Sequence, residues 1–150
     1  MRYVLYKGSV YLKPFDEDCF VTGFKEKTDN SFYEYPDRSY SYARDLEVGD
    51  VYDLYQIDFF IEYDGHTHIV DHKRKIENDE VEIWLEKWDF TQREIHVPIT
   101  IDLHDCSKFY AHYVYFVRGG KKLDKEEWAR VNMDLAEFKA EMERHCHANI

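Results

Sequence analysis

Residues 95–103 read IHVPITIDL and residues 109–117 read FYAHYVYFV, and these two runs decide the predicted fold. In the first run the odd positions are apolar and the even positions are mostly polar. Successive side chains of a β-strand point to opposite faces, so this alternation predicts one buried face and one solvated face. Pro98 lacks a backbone donor, which predicts an edge strand or a bulge at that point. The short polar connection between the runs predicts a hairpin with Leu103 opposite Phe109.

The outer face of this predicted hairpin would gather polar and aromatic side chains: Thr100, Asp102, Tyr110 and His112. A cross-strand Asp–His pair could orient an imidazole for general-base chemistry. The register brings no serine or cysteine beside it, however, and charged and hydroxyl residues are what a solvated sheet face ordinarily carries. We therefore predict no catalytic residue here.

A second hairpin is predicted upstream, where residues 57–63 and 66–72 are β-prone and are joined by Asp64-Gly65. Asp-Gly suits a type I′ turn, because both central residues of that turn need positive φ. The resulting pairs are Tyr63 with His66, Ile61 with His68, Phe59 with Val70, and Ile57 with His72. With a turn at Asn78-Asp79 and a further strand over residues 81–88, residues 57–117 read as a five-strand antiparallel meander.

A helix over residues 124–146 is predicted to close the chain. Asp124 would be its N-cap with Glu127 three residues on, and Leu123 and Trp128 occupy the hydrophobic-staple positions. An apolar stripe follows at helical spacing: Trp128, Val131, Leu135, Phe138 and Met142. The predicted fold is therefore α+β in a single domain over residues 1–150. A curved antiparallel β-meander of about 7–8 strands, open or barrel-like, fills residues 1–118 and is packed by the one C-terminal helix.

Charge and composition limit the function. Twenty Lys and Arg against 31 Asp and Glu give a net charge of -11, which argues against direct binding to a nucleic-acid backbone. No apolar run reaches the ~20 residues that span a bilayer, and no apolar signal core follows Arg2, so we expect a cytoplasmic protein without a membrane partner. Cys19, Cys106 and Cys146 are too scattered for a disulfide framework and are read as reduced thiols.

Acidic residues alternate with aromatic residues in several stretches, and residues 28–43, whose only aliphatic residue is Ala43, are predicted to form a tyrosine-rich loop. Exposed together, they would steer a basic protein partner and anchor it with rings. The predicted binding residues are Tyr33, Glu34, Tyr35, Asp37, Tyr40, Tyr42, Asp50, Tyr52, Asp53, Trp84, Glu86 and Trp88. We predict an acidic protein-binding module, an inhibitor or immunity-type protein that mimics nucleic acid and blocks a basic nucleic-acid-handling target. The alternative is that the rings pack inward and the acids only confer solubility.

A histidine cluster supports a different function. His66 and His68 lie two apart on a predicted strand and point the same way, as strand-borne metal ligands do, and Asp71 and His72 follow closely. A divalent metal would need a further ligand from another strand or from residues 145–147. The alternative function is a metal-dependent hydrolase or a small-ligand barrel, whereas half-buried, hydrogen-bonded histidines at a sheet rim are the ordinary explanation. A structural component of a larger assembly is the third possibility.

Overall fold

The computed structural model describes residues 2–13, 20–23, 32–34, 42–47, 49–88 and 94–149. Within these ranges the strands are β1 (Arg2–Tyr6), β2 (Ser9–Lys13), β3 (Phe20–Gly23), β4 (Tyr33–Glu34), β5 (Tyr42–Asp45), β6 (Tyr52–Tyr63), β7 (His66–Val70), β8 (Glu80–Trp88), β9 (Glu94–Asp102), β10 (Lys108–Arg118) and β11 (Lys121–Met133). A 3-10 turn (Leu103–Asp105) lies between β9 and β10, and the helix α1 (Leu135–Asn149) follows β11. The predicted α+β class is confirmed, with more strands than predicted.

The described strands form two antiparallel sheets. The larger sheet runs in the order β11-β10-β6-β1-β2-β3-β5-β4, with β7 also paired to β6, and β8 and β9 form a separate two-stranded ribbon. The path of the larger sheet is open, with β11 and β4 at its ends, so these strands do not close into a barrel.

β6 is the strand that organises the core. It pairs with β10 along one edge and with β1 and then β7 along the other. Its alternate residues Tyr55, Ile57, Phe59 and Ile61 are all buried, and they face α1, which contributes Phe138 and Met142. The inward-facing residues of β6, which are two apart, and those of α1, which are four apart, thus pack together in one core. A second cluster, around Val4 and Leu54, packs separately.

The predicted β6–β7 hairpin is confirmed. Tyr63 lies opposite His66, Ile61 opposite His68, and Phe59 opposite Val70. Asp64 and Gly65 both have positive φ, 51° and 73°, as the type I′ turn requires. The fourth predicted pair, Ile57 with His72, does not form because β7 ends at Val70.

The predicted hairpin between residues 95–103 and 109–117 is wrong. β9 pairs with β8 over its whole length, whereas β10 pairs with β6 and β11. The 3-10 turn explains the separation, because Asp102 caps it by accepting the backbone N–H of His104 at 2.8 Å and the chain is redirected there. Consequently the five-strand meander is wrong too, and Asp102 and His112 belong to different sheets. Among the described strands β9 pairs only with β8, which agrees with the edge position predicted from Pro98.

The predicted start of the C-terminal helix at residue 124 is wrong, since residues 121–133 form β11. Gly119 and Gly120 both have positive φ and turn the chain directly back along β10. The true helix start lies ten residues later, where Asp134 accepts the N–H of Glu137 at 2.8 Å and Glu137 accepts the N–H of Asp134 at 3.2 Å. This reciprocal pair is a capping box. Within the described residues, no helix combines the length and apolar character that crossing a membrane requires.

Candidate functional site

A depression of about 220 Å³ opens where the chain after β7 meets β8 and α1. Four of its lining residues are acidic, two are basic, five are apolar and one is a threonine. They are Asp71, Glu77, Glu80 and Glu82, Arg74 and Lys75, Val70, Ile76, Val81, Trp84 and Met142, and Thr100. We call this site the Trp84 depression.

The alternation of β8 creates the apolar and polar parts of the Trp84 depression. Val81 and Ile83 point into the core and are 7% and 0% exposed, whereas Glu82 and Trp84 point the other way. Trp84 is 54% exposed and lies opposite Pro98 on β9. An indole left this open offers a wide apolar face and a ring that attracts cations.

The charge of the Trp84 depression is negative by two, from four carboxylates and two cations. Arg74 lies between two of the acids, with its Nε 3.7 Å from Asp71 and an Nη 3.3 Å from Glu82. The Arg74 side chain is 64% exposed, so these ion pairs are weak and easily exchanged.

More acidic residues adjoin the Trp84 depression on the β8–β9 ribbon. Glu80 lies directly opposite Asp102, and its backbone N–H donates to the carbonyl of Glu77 at 3.0 Å. Like charges directly opposite one another destabilise a strand pair, and a cation between them would relieve that repulsion. Asp79 is already neutralised: it is ion-paired with Lys139 and 2.9 Å from His104, and these hydrogen bonds lower the pKa of its carboxyl.

The remaining predicted binding residues are dispersed. Tyr33 and Glu34 are exposed on β4, at the far end of the larger sheet from β11. Tyr42 and Tyr52 are half-buried and pack against the second core cluster. Tyr35, Asp37 and Tyr40 lie outside the described residues, as do the side chains of Glu86 and Trp88.

Two of the predicted acidic contacts, Asp50 and Asp53, accept hydrogen bonds within the fold. Asp50 forms an ion pair with Arg44 at 2.9 Å, and the N–H of Glu47 donates to the same carboxylate, which lowers its pKa. Asp53 accepts the N–H of Gly119 at 2.7 Å, which fastens the β10–β11 turn to β6.

The predicted metal ligands are not gathered into one set. His66 is exposed and His68 half-buried on β7, as rim histidines are. Asp71 accepts the N–H of Lys73, and His72 hydrogen-bonds through Nε2 to the Tyr3 hydroxyl at 2.8 Å. Among the described residues, no three His, Cys, Asp or Glu side chains are placed to hold a metal ion together.

A buried His–Tyr cluster, which the sequence patterns did not reveal, joins α1 to the sheet. His145 is 0% exposed; its Nδ1–H donates to the carbonyl of Glu141 at 2.7 Å, so its Nε2 accepts from the Tyr55 hydroxyl at 2.8 Å. Burial lowers the pKa of His145 to about 4 and raises the pKa of Tyr55. The spacing Phe138, Met142, His145 on one helical face was the available signal. This cluster is neutral at pH 7 and serves packing.

Comparisons with known protein families, with curated proteins and with solved structures gave no match to this chain.

Proposed function

We propose that this protein is an acidic, non-enzymatic binding module that takes up a basic segment of another protein through the Trp84 depression. Its most specific form is an inhibitor or immunity-type protein that blocks a basic, nucleic-acid-handling target. One observation carries the proposal: an open indole borders a depression rimmed by four carboxylates. Aromatic anchors beside complementary charge are the usual centres of protein interfaces.

A lysine or arginine side chain matches the chemistry of this site. Its alkyl stem would contact the apolar floor of Val70 and Met142, while its charged head would approach Asp71 and Glu82. A guanidinium over the Trp84 ring would gain about 0.5–2 kcal/mol from cation–π attraction. An incoming arginine would exchange with Arg74, which costs little because that residue is largely solvated. The net charge of -11 would speed the encounter.

Calorimetric titration with an oligoarginine peptide tests the chemistry of the site. We expect binding that weakens as salt rises, that is lost for a citrulline peptide of equal length, and that is weakened by Trp84→Ser and Glu82→Gln. Trp128→Ser, which removes an exposed tryptophan from β11, serves as the matched control and should bind as the wild type does. Equal binding by wild type and Trp84→Ser would contradict the site.

Capture of a natural partner tests the biological role. Immobilised wild type at low ionic strength should retain a basic protein that salt elutes, and immobilised Trp84→Ser should not. If the captured protein binds nucleic acid, adding free wild type should displace that nucleic acid. A captured protein that still holds nucleic acid in the complex would refute the inhibitor role and leave the binding site standing.

A further inference from the structure

The second half of β11 is an unprotected sheet edge. β11 pairs with β10 on one side, and no described residue pairs with its other side. The pairing jumps from Tyr115 with Glu127 to Val117 with Lys122, so residues 123–126 bulge out opposite Phe116. Residues 127–133, in contrast, continue in unbroken register. Bulges and charges protect edges from pairing with other strands, and here they protect only the first half.

The side chains of residues 127–133 add exposed apolar surface to this edge. Trp128 is 71% exposed on one face and Val131 is 40% exposed on the other. Glu127 and Arg130 are the charged residues of the segment, and Glu127 is held by Arg118 at 2.8 Å. A regular edge with open backbone groups and uncovered apolar side chains is a template for another strand.

We infer that β11 pairs antiparallel with β11 of a second copy of this chain, with the two Ala129 residues facing each other across a two-fold axis. In a continuous sheet, two residues directly opposite each other point to the same face. Even-numbered residues of one copy must therefore lie opposite even-numbered residues of the other. Only centres at Ala129, Arg130 or Val131 keep five or more residues of the regular segment 127–133 paired. The charges then select among these centres.

A centre at Arg130 places two guanidiniums opposite each other, which is unfavourable. A centre at Val131 leaves Trp128 beyond the paired segment. The centre at Ala129 places Trp128 opposite Arg130 of the second copy twice, by symmetry, and forms two cation–π pairs. Arg130 is already ordered for this contact, because its guanidinium lies 3.8 Å from the centroid of the Tyr110 ring and its Nε donates to Asn132 at 3.1 Å. Its opposite face would receive the indole.

This interface is small, since one short strand pair buries less than the about 1,200 Å² of a stable complex. Sedimentation equilibrium from about 10 µM to about 1 mM should therefore show a concentration-dependent dimer. Trp128→Arg should be monomeric, because the introduced arginine would face Arg130 of the second copy. The double variant Trp128→Arg with Arg130→Trp should regain the dimer, because the swap keeps both pairs.

Ile69→Arg is the matched control, since Ile69 is 58% exposed on another strand of the same face, and it should dimerise like the wild type. Circular dichroism verifies that each variant is folded. Amide exchange of residues 127–131 in the wild type should slow as the concentration rises. A wild type that is monomeric throughout, a dimeric Trp128→Arg, or a monomeric double variant would each overturn the inference.

Discussion

His145 couples the packing of α1 to proton concentration. Both ring nitrogens are hydrogen-bonded inside the core, and the ring meets Tyr3 edge-on at a centroid distance of 4.9 Å. The Tyr55 hydroxyl donates to its Nε2, and that arrangement suits only a neutral imidazole. A proton on Nε2 would require the Tyr55 hydroxyl to rotate from donor to acceptor and would place a positive charge in a site that has no access to water.

Acidification should therefore destabilise the fold through His145. The unfolded chain takes up this proton below its ordinary pKa of 6.5, whereas the folded chain resists until about 4. The free energy of unfolding should thus fall as the pH drops from 6.5 to about 4 and stop falling from this cause below that, by about 3 kcal/mol in total. The lowered pKa of the half-buried His72, caused mainly by its partial burial, acts in the same direction.

Urea denaturation at several pH values measures this loss, and His145→Gln should flatten it. His66→Gln removes an exposed imidazole and should retain the wild-type slope. If the free energy of unfolding of His145→Gln depended on pH as that of the wild type does, His145 would not be the group whose protonation destabilises the fold.

At the scale of elements, two Asp–Glu pairs with the same three-residue spacing could each have marked the start of the helix. Asp124 with Glu127 was the predicted capping box, and Asp134 with Glu137 is the real one. Capping spacing alone could not decide between them. The Gly119-Gly120 turn decides, because it offers residues 121–133 the hydrogen bonds of β10 before a helix can form. A two-glycine hairpin could be recognised in the sequence. Local patterns could not show, however, whether residues 121–133 would form that hairpin or a helix.

The two candidate caps should differ in energy. Asp134→Ala removes the acceptor of the Glu137 N–H and should reduce the free energy of unfolding by about 1 kcal/mol. Asp124→Ala changes an exposed residue within the β11 bulge and should stay within about 0.5 kcal/mol of the wild type. Paired urea melts measure both, and an equal loss in the two variants would argue against the assigned helix start.

The two turn glycines should also differ. Both have positive φ, 60° at Gly119 and 79° at Gly120, so alanine at either position costs about 1–2 kcal/mol. A Cβ on Gly120 would in addition lie 2.6 Å from the backbone oxygen of Asp50, whereas one on Gly119 meets nothing within 4 Å. Gly120→Ala should therefore lower the melting temperature clearly more than Gly119→Ala. Equal melting temperatures would mean that the turn does not rest on residue 50 in solution.

At the scale of the whole molecule, the sequence predicted contacts between neighbours and missed contacts between distant segments. Three of the four predicted pairs of the β6–β7 hairpin form, because Asp64-Gly65 fixes its register locally. β10 lies closer in sequence to β9, yet it pairs with β6 because its inward residues complete the core face beneath α1. No alternation within β9 or β10 encodes that choice.

The same long-range packing decides which tyrosines are exposed enough to bind a partner. Six tyrosines of the described residues are buried: Tyr3, Tyr6, Tyr11, Tyr55, Tyr110 and Tyr113. Alternation in the sequence shows which tyrosines share a face of the sheet. Which face is buried depends on the side of the sheet against which α1 packs. Trp84 is exposed, as the predicted binding surface requires, and only the fold brings Asp71 and Glu77 next to it.

Part of the net charge of -11 lies where like charges repel each other and lower the stability of the fold. A basic partner would relieve that repulsion. Glu80 faces Asp102 directly across the β8–β9 ribbon. Glu80→Gln should therefore raise the free energy of unfolding by about 0.2–1 kcal/mol at low salt, and the gain should vanish near ~1 M salt, where the screening length falls to about 3 Å. The same variant should bind the oligoarginine peptide more weakly, since Glu80 lines the Trp84 depression.

Glu126→Gln, an exposed carboxylate of the other sheet, should change neither stability nor binding of the peptide. Thermal melts in a salt series and calorimetric titrations measure the two quantities on the same samples. A Glu80→Gln variant that is more stable yet binds unchanged would mean that the repulsion is incidental. A variant that gains stability as it loses affinity would mean that these acidic residues lower the stability of the free protein and contribute to the binding of a cationic partner.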